Sequence, residues 1–252
     1  MISIDLNADI GEHDGDGHER DFALLDVVTS ASIACGGHAG SDNVMRRTAQ
    51  AAAERGVAIG AHPGFPDREG FGRRVIEMPA EELSAAISAQ VLALRACCVE
   101  VGTRVRYVKP HGALYNEAAR NAGFAEMLVR AVRDVDATLV LLVLAESVLE
   151  LEARAAGLSV AREAFIDRAY LGDGTLMPRD NEGAVLGDAD IAAERALVMV
   201  RDHSVTASDG TSLTIFPDSL CVHGDNPAAL PMIRAVRNRL EMAGIAFAPF
   251  AK

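Results

Sequence analysis

Short apolar runs alternate with amphipathic stretches along nearly the whole chain. Residues 2–8 alternate apolar and polar side chains and predict a first strand. A polar, glycine-rich loop follows over 9–18. Phe22, Leu25 and Val28 fall on one face of a helix predicted over 19–28. Further strands are predicted over 31–35, 57–61, 105–108, 138–144, 159–166 and 219–222. Helices are predicted over 43–55, 79–101, 121–135, 146–156, 188–201 and 227–242. Ser41 or Asp42 can cap the second helix and Gly56 stops it; Pro79 suits the start of the third. Long polar loops occupy 62–74 and 167–187, and a Ser-Asp-Gly turn predicts a small hairpin over 205–215.

Seven strand–helix units in strict alternation imply right-handed crossovers and a mostly parallel sheet. A doubly wound open sheet would fit that alternation too. Its ligand groups would gather at one switch point, whereas here charged and histidine residues follow nearly every strand. A barrel, whose strand ends converge on one mouth, is therefore favoured. No Pro- or Ser-rich linker divides the chain, so one domain over 1–252 is expected.

The strand ends carry the candidate chemistry. In YVKPHGALYN (107–116) a strand runs out into Lys109, Pro110 and His111, and Gly112 opens a turn. Pro110 biases Lys109 toward extended backbone, which places it at the strand tip. His38 ends SASIACGGH, His62 ends VAIGAH and His223 ends SLCVH, each beside a Gly or Pro. These four histidines are expected to rim one site, as metal ligands or proton carriers. His13, His18 and His203 lack this setting and read as surface residues. Asp5, Asn7 and Asp9 share one strand face by their period of two, with Glu12 beyond them. They form either a hydrogen-bonded polar plug or a cation site. Lys109 can hold an anion or form an internal ion pair. Glu163, Asp167 and Arg168 flank another strand end, and Arg179 lies in the loop beyond. Both arginines suit an anionic ligand, or else pair with Asp173 or Asp180. Asp225, beside His223, is either a helix cap or part of the site.

Composition narrows the classes. Half the residues are hydrophobic, Trp is absent and the aromatic share is 4%, so Val, Leu, Ile and Ala must fill the core. A net charge of −12 argues against nucleic acid or anionic membrane as the main partner. Cys35, Cys97, Cys98 and Cys221 show no CxxC spacing, which suits reduced thiols in a cytoplasm. No signal peptide is visible, and the apolar run at 137–144 is too short for a bilayer. Compact zinc, Walker A and GxSxG patterns are missing.

Taken together, DLNADIGE, IACGGHAG, VAIGAHPGFPD with GFGRR, VKPHGALYN, EAFIDRAY, LMPR and CVHGD resemble the LamB/YcsF family from Ile2 to about Phe250. Gly37 stands where that family usually has an aromatic residue, and Ser41-Asp42 where it has Asp-Pro. The resemblance implies a seven-stranded (β/α) barrel of the glycoside hydrolase/deacetylase type. It also implies ATP-dependent opening of the lactam ring of 5-oxoproline (pyroglutamate) to L-glutamate, alongside separate B and C subunits of a 5-oxoprolinase. On that reading Asp9, His38, His62, Lys109, His111, Asp167 and His223 are the expected catalytic set. Asn7, Glu12, Arg168, Arg179 and Asp225 are expected to contact substrate. ATP would arrive with magnesium, and a tightly held transition metal would fall to Asp9, His38 and His62. Two rivals stand beside this: a metal-dependent amide or sugar deacetylase, and a non-catalytic subunit that binds 5-oxoproline or docks the partners.

Overall fold

A computed structural model describes residues 2–13 and 18–251, apart from the side chain of His18; residues 14–17 of the predicted glycine-rich loop lie outside the described residues. In chain order the strands and helices run β1 (Ser3–Ile10), α1 (His18–Leu25), β2 (Ser30–Ala34), α2 (Asp42–Glu54), β3 (Ala58–His62) and α3 (Ala80–Glu100). There follow β4 (Tyr107–Val108), α4 (Gly112–Arg120), α5 (Ala122–Asp136), β5 (Val140–Leu144), α6 (Val148–Ala155) and β6 (Val160–Phe165). The chain ends with α7 (Ala189–Arg201), β7 (Ser204–Thr206), β8 (Ser212–Thr214), β9 (Ser219–His223), α8 (Ala229–Met242) and β10 (Ala246–Phe247).

Seven parallel strands, β1-β2-β3-β4-β5-β6-β9, close through a β1–β9 pairing. The expected barrel is therefore present, with helices around it. Closure sets Asn7 opposite Cys221 and Asp9 opposite His223. β7 and β8 form the predicted hairpin as a separate antiparallel pair. Two elements were not expected. β10 adds two residues of pairing at the start of β1 and is too short to show a period. α4 begins at Gly112, which has φ of 55°, where a turn had been expected.

β1 is buried on both faces. Ile4, Leu6, Ala8 and Ile10 join the apolar layer beneath the helices, while Asp5, Asn7 and Asp9 point into the barrel. The interior is thus built in polar layers. Asp5 accepts hydrogen bonds from the hydroxyls of Thr29, Ser30 and Ser219. Above it, Asn7 donates to Glu163 and Ser219. Tyr107 fills the space beside Gly60 and bonds Ser32 at 3.2 Å. A Cβ on Gly60 would lie 2.1 Å from the Tyr107 ring, so only glycine admits this packing.

The helices start where the sequence supplies caps: Ser41, Asn121, Ser147 and Asp188 each accept a backbone N–H in the first turn. α3 is long and apolar enough to cross a membrane by length and composition, but here it packs beside α2 and α5 in the barrel shell. The space beside Gly37 is taken by the amide of Gln90, which bonds both backbone polar groups of Gly64.

Candidate active site

The C-terminal ends of the barrel strands converge on a cavity of about 210 Å³. Its wall includes Asp9, His62, Arg73, Lys109, His111, Arg168, Arg179 and His223. At its floor lies Lys109, whose ammonium is 2% exposed. Nζ is 2.7 Å from Asp9 Oδ1, 2.8 Å from Glu163 Oε1, 3.4 Å from Asn7 Oδ1 and 3.1 Å from Cys221 Sγ. Burial disfavours the ammonium, yet Asp9, Cys221 and Glu163 more than offset it and hold the Lys109 pKa well above its ordinary value. The same pairing works on Asp9: burial opposes its charge, but His62 and Lys109 keep the carboxyl well below the usual range. This floor is a fixed cation between two carboxylates.

Three histidines form a second group beside it. The His38 and His111 rings stack at 3.5 Å, and His62 meets both edge-on. His62 Nδ1 lies 2.8 Å from the Lys109 carbonyl, and His111 Nε2 lies 2.8 Å from the Phe71 carbonyl. A carbonyl only accepts, so both of these ring nitrogens carry hydrogen. Their other nitrogens, His62 Nε2 and His111 Nδ1, face each other at 3.0 Å. Two lone pairs cannot meet at that distance without a proton or a cation between them. Burial disfavours a charged His62, but the Asp9 carboxylate outweighs it and raises its pKa. Burial together with His38 and His62 pushes His111 well down. Asp9 thus favours a proton on His62 over one on His111. Glu12 closes the group, with Oε1 3.1 Å from His38 Nε2 and 3.5 Å from His111 Nδ1. Its carboxyl is pushed up to about 7, chiefly by burial.

Across the cavity stands His223. Asp167 accepts from its backbone N–H at 3.1 Å and holds Nδ1 at 3.0 Å. The His223 ring stacks on Phe165, and both residues line the cavity. Burial opposes the Asp167 charge, but His223 outweighs it and lowers the pKa, so a carboxylate is what orients the imidazole.

Arg73 and Arg179 sit at the rim and share one carboxylate, Asp225. Arg73 was not anticipated. Its only signal was the GFGRR loop, and its partner is 152 positions away. Arg168 lines the wall, but its guanidinium donates to the backbone carbonyls of Met177 and Ala184. Asn7, Glu12, His38, Asp167 and Asp225 stand behind the cavity lining and brace the groups that reach it. Glu163, noticed in the sequence only as a residue near a strand end, is a direct partner of Lys109.

Of Asp9, His38 and His62, the residues expected to hold a metal, Asp9 is also engaged by a second partner. Asp9 already has a lysine ammonium on Oδ1, and its Oδ2 is 3.4 Å from His62 Nε2. The donors that converge are Glu12, His38, His62 and His111, all within 4.8 Å of one another. Among the other histidines, His203 is exposed as expected, His13 is half-buried rather than on the surface, and the His18 side chain lies outside the described residues.

A seven-stranded (β/α) barrel with a lysine-centred polar mouth is the class that fold and site define. The LamB/YcsF family model matches residues 4–252, and the chain belongs to that family. It is 50% identical over 251 residues to the A subunit of a 5-oxoprolinase from Paracidovorax citrulli, covering 99% of this chain and 100% of that one. The crystal structure of a lactam utilization protein from Thermus thermophilus matches with a TM-score of 0.91 and 43% identity, over 99% of this chain and 100% of that one. A polysaccharide deacetylase from Bacillus cereus has a TM-score of 0.52 at 10% identity, over 100% of this chain and 93% of that one, a likeness of fold alone.

Proposed function

We propose that this chain is the A subunit of an ATP-dependent 5-oxoprolinase. In this reading it holds 5-oxoproline while the lactam ring is opened to L-glutamate, and it works with separate B and C subunits in a reducing cytoplasm. Its four cysteines are free, which agrees with such a compartment. The observation that carries the reading is the fixed Lys109 cation beneath a small cavity, faced by the Asp167-oriented His223 and rimmed by Arg73 and Arg179. At about 210 Å³ the cavity suits a small lactam acid. It is smaller than the ~300–1,000 Å³ typical of drug-sized ligands. The names of the close relatives point the same way.

A lactam carbonyl is a weak electrophile and its nitrogen a poor leaving group. Transfer of the ATP γ-phosphoryl group to the carbonyl oxygen makes the ring carbon open to water. Lys109 supplies a fixed positive charge at the cavity floor for the negative charge that develops there, acting through its field because its N–H groups are held by Asp9, Glu163 and Cys221. Arg73 and Arg179 supply cations for the substrate carboxylate or for the phosphates. His223 takes a proton from the attacking water and returns one to the departing ring nitrogen, which leaves a γ-glutamyl phosphate that a second water cleaves to L-glutamate and inorganic phosphate. His62 and His111 are engaged with each other and with backbone carbonyls, so they support the wall beside Lys109. Magnesium would travel on the ATP phosphate oxygens.

The test is glutamate release from 5-oxoproline by the chain alone and with its partner subunits, with and without ATP. Turnover should need ATP and fall to near background in Lys109→Met and His223→Ala. Near-normal rates in both variants, or in the absence of ATP, would overturn the reading.

A further inference from the structure

The face that α3 turns to solvent is apolar. At about 3.6 residues per turn, Ala85, Ala89, Leu92, Ala96 and Val99 fall along one line of the helix, and all five are exposed. Leu92 is 49% and Val99 68% exposed. The opposite face, with Leu83, Ile87, Val91 and Leu94, is the one buried against the barrel. An outward helix face ordinarily carries the charged side chains, and a helix apolar on both sides is one that is covered on both. Charges border the stripe instead: Glu100 pairs with Arg46 of α2, and Arg95 with Asp136 of α5. An apolar centre inside a polar rim is the make-up of a protein–protein contact.

The two ends of the stripe carry opposite charge. Glu81 and Glu82 stand in the first turn of α3, and Glu82 has no ion pair among the described residues. At the other end Val99 borders a cavity of about 550 Å³ that Arg95, Arg104 and Arg106 also line. Arg95 reaches Asp136 at 3.6 Å, whereas Arg104 and Arg106 have no ion pair among the described residues. In a chain of net charge −12 this is a local surplus of cations. One copy of α3 laid antiparallel across another, Leu92 against Leu92, makes use of both ends. Residues equally far from Leu92 then come level, which sets the Glu81–Glu82 end of each helix against the Arg104 end of the other. A parallel pairing would set like ends together and repel.

We infer that the outer face of α3 joins two copies of this chain, packed antiparallel about a twofold axis at Leu92, with the acidic end of each helix in the arginine-lined cavity of the other. A twofold contact uses one patch on both subunits, so that patch must hold both members of every charge pair, as this one does. The three alanines let the helix backbones come close on either side of Leu92. No α3 residue lines the active-site cavity, so the pairing leaves both mouths open. The inference rests on this surface and stands whether or not the chain opens a lactam.

The experiment is sedimentation velocity on the full chain by itself, at tens of micromolar. A dimer is expected. Leu92→Glu should weaken self-association by at least about 100-fold, the loss for a residue at the centre of a contact. Its circular dichroism should match that of the parent. Glu82→Arg and Arg104→Glu should each weaken the dimer by about tenfold or more, because each sets like charges together. An equal mixture of these two variants should regain the parent's affinity, since every acid then meets a cation again. Should Leu92→Glu disturb the fold, the mixing measurement decides. A monomer under these conditions would overturn the inference. So would a dimer that tolerates Leu92→Glu, or a mixture no tighter than either variant alone. A monomer in which Leu92→Glu instead abolishes binding to the partner subunits, or to phosphatidylcholine vesicles, would give the stripe to that occupant and overturn the inference too. Glutamate release, measured separately, reports on the lactam reading alone.

Discussion

Lys109 Nζ and Asp9 Oδ1 meet at 2.7 Å inside the barrel, although 100 positions separate them in the chain. Glu163 completes the arrangement from a third strand. Removing the cation would strand two buried carboxylates. Lys109→Met should therefore cost about 3–5 kcal/mol in urea unfolding, the range for breaking a buried ion pair. A loss of activity with unchanged stability would mean that solvent reaches the floor more freely than the structure shows.

Asp5 offers a stability signature with a defined sign. Its carboxyl is raised to about 6, mainly by burial, against the hydroxyl hydrogen bonds that lower it. The folded chain therefore holds a proton that the unfolded chain releases near its ordinary value of about 3.9. This contribution is fully present below about pH 4 and is lost as pH rises through about 6. It amounts to about 3 kcal/mol. Asp5→Asn should lack it, so the stability of the variant relative to the parent should climb by about that much between pH 4 and pH 7. A flat difference across that interval would contradict the burial of this carboxyl.

Asp167 acts only through His223, and its replacement should show that. Asp167→Asn should leave KM for 5-oxoproline near its normal value while lowering kcat by about 10²–10⁴-fold, the range for losing a positioned acid–base group. A change confined to KM would move Asp167 from orienting the imidazole to holding substrate.

At the rim the expected split is reversed. Arg179→Ala removes a cation that Asp225 keeps aimed at the cavity entrance. The KM for 5-oxoproline or for ATP should rise at least tenfold with kcat largely kept, and which of the two moves identifies the anion bound there. A fall in kcat with both KM values intact would place Arg179 in the chemical step.

Gly60→Ala tests the packing under the site. The added methyl would collide with the buried Tyr107 ring, at a cost of about 1–3 kcal/mol for overpacking. Thermal unfolding would check this, and an unchanged midpoint would show that Tyr107 can move aside.

Local rules made much of this architecture legible. The period of two in SIDLNAD correctly turned Asp5, Asn7 and Asp9 inward, and Pro110 correctly left Lys109 at a strand tip. What escaped depends on which distant strands become neighbours. Nothing near Glu163 announces that it will face Lys109, and nothing near Arg73 announces Asp225. That Asp9 pairs with Lys109 while Glu12 meets His38 is fixed only by barrel closure. α4 was hidden by its own first residue: Gly112 reads as a turn, yet the positive φ it adopts lets the chain enter a helix directly behind His111.

The β1–β9 seam has a bearing on how the protein comes to life at the ribosome. Asp9 emerges 214 residues before its neighbour across the seam, His223. Until β9 is synthesised, the nascent chain carries charged groups such as Glu163 and Asp5 without the hydroxyl of Ser219 or the strand that shields them. Such long-range pairing is slow to form. Competence for chemistry should thus arrive abruptly, when β9 docks and closes the barrel, and chains shortened before residue 219 should be prey for chaperones and proteases instead of partly working intermediates.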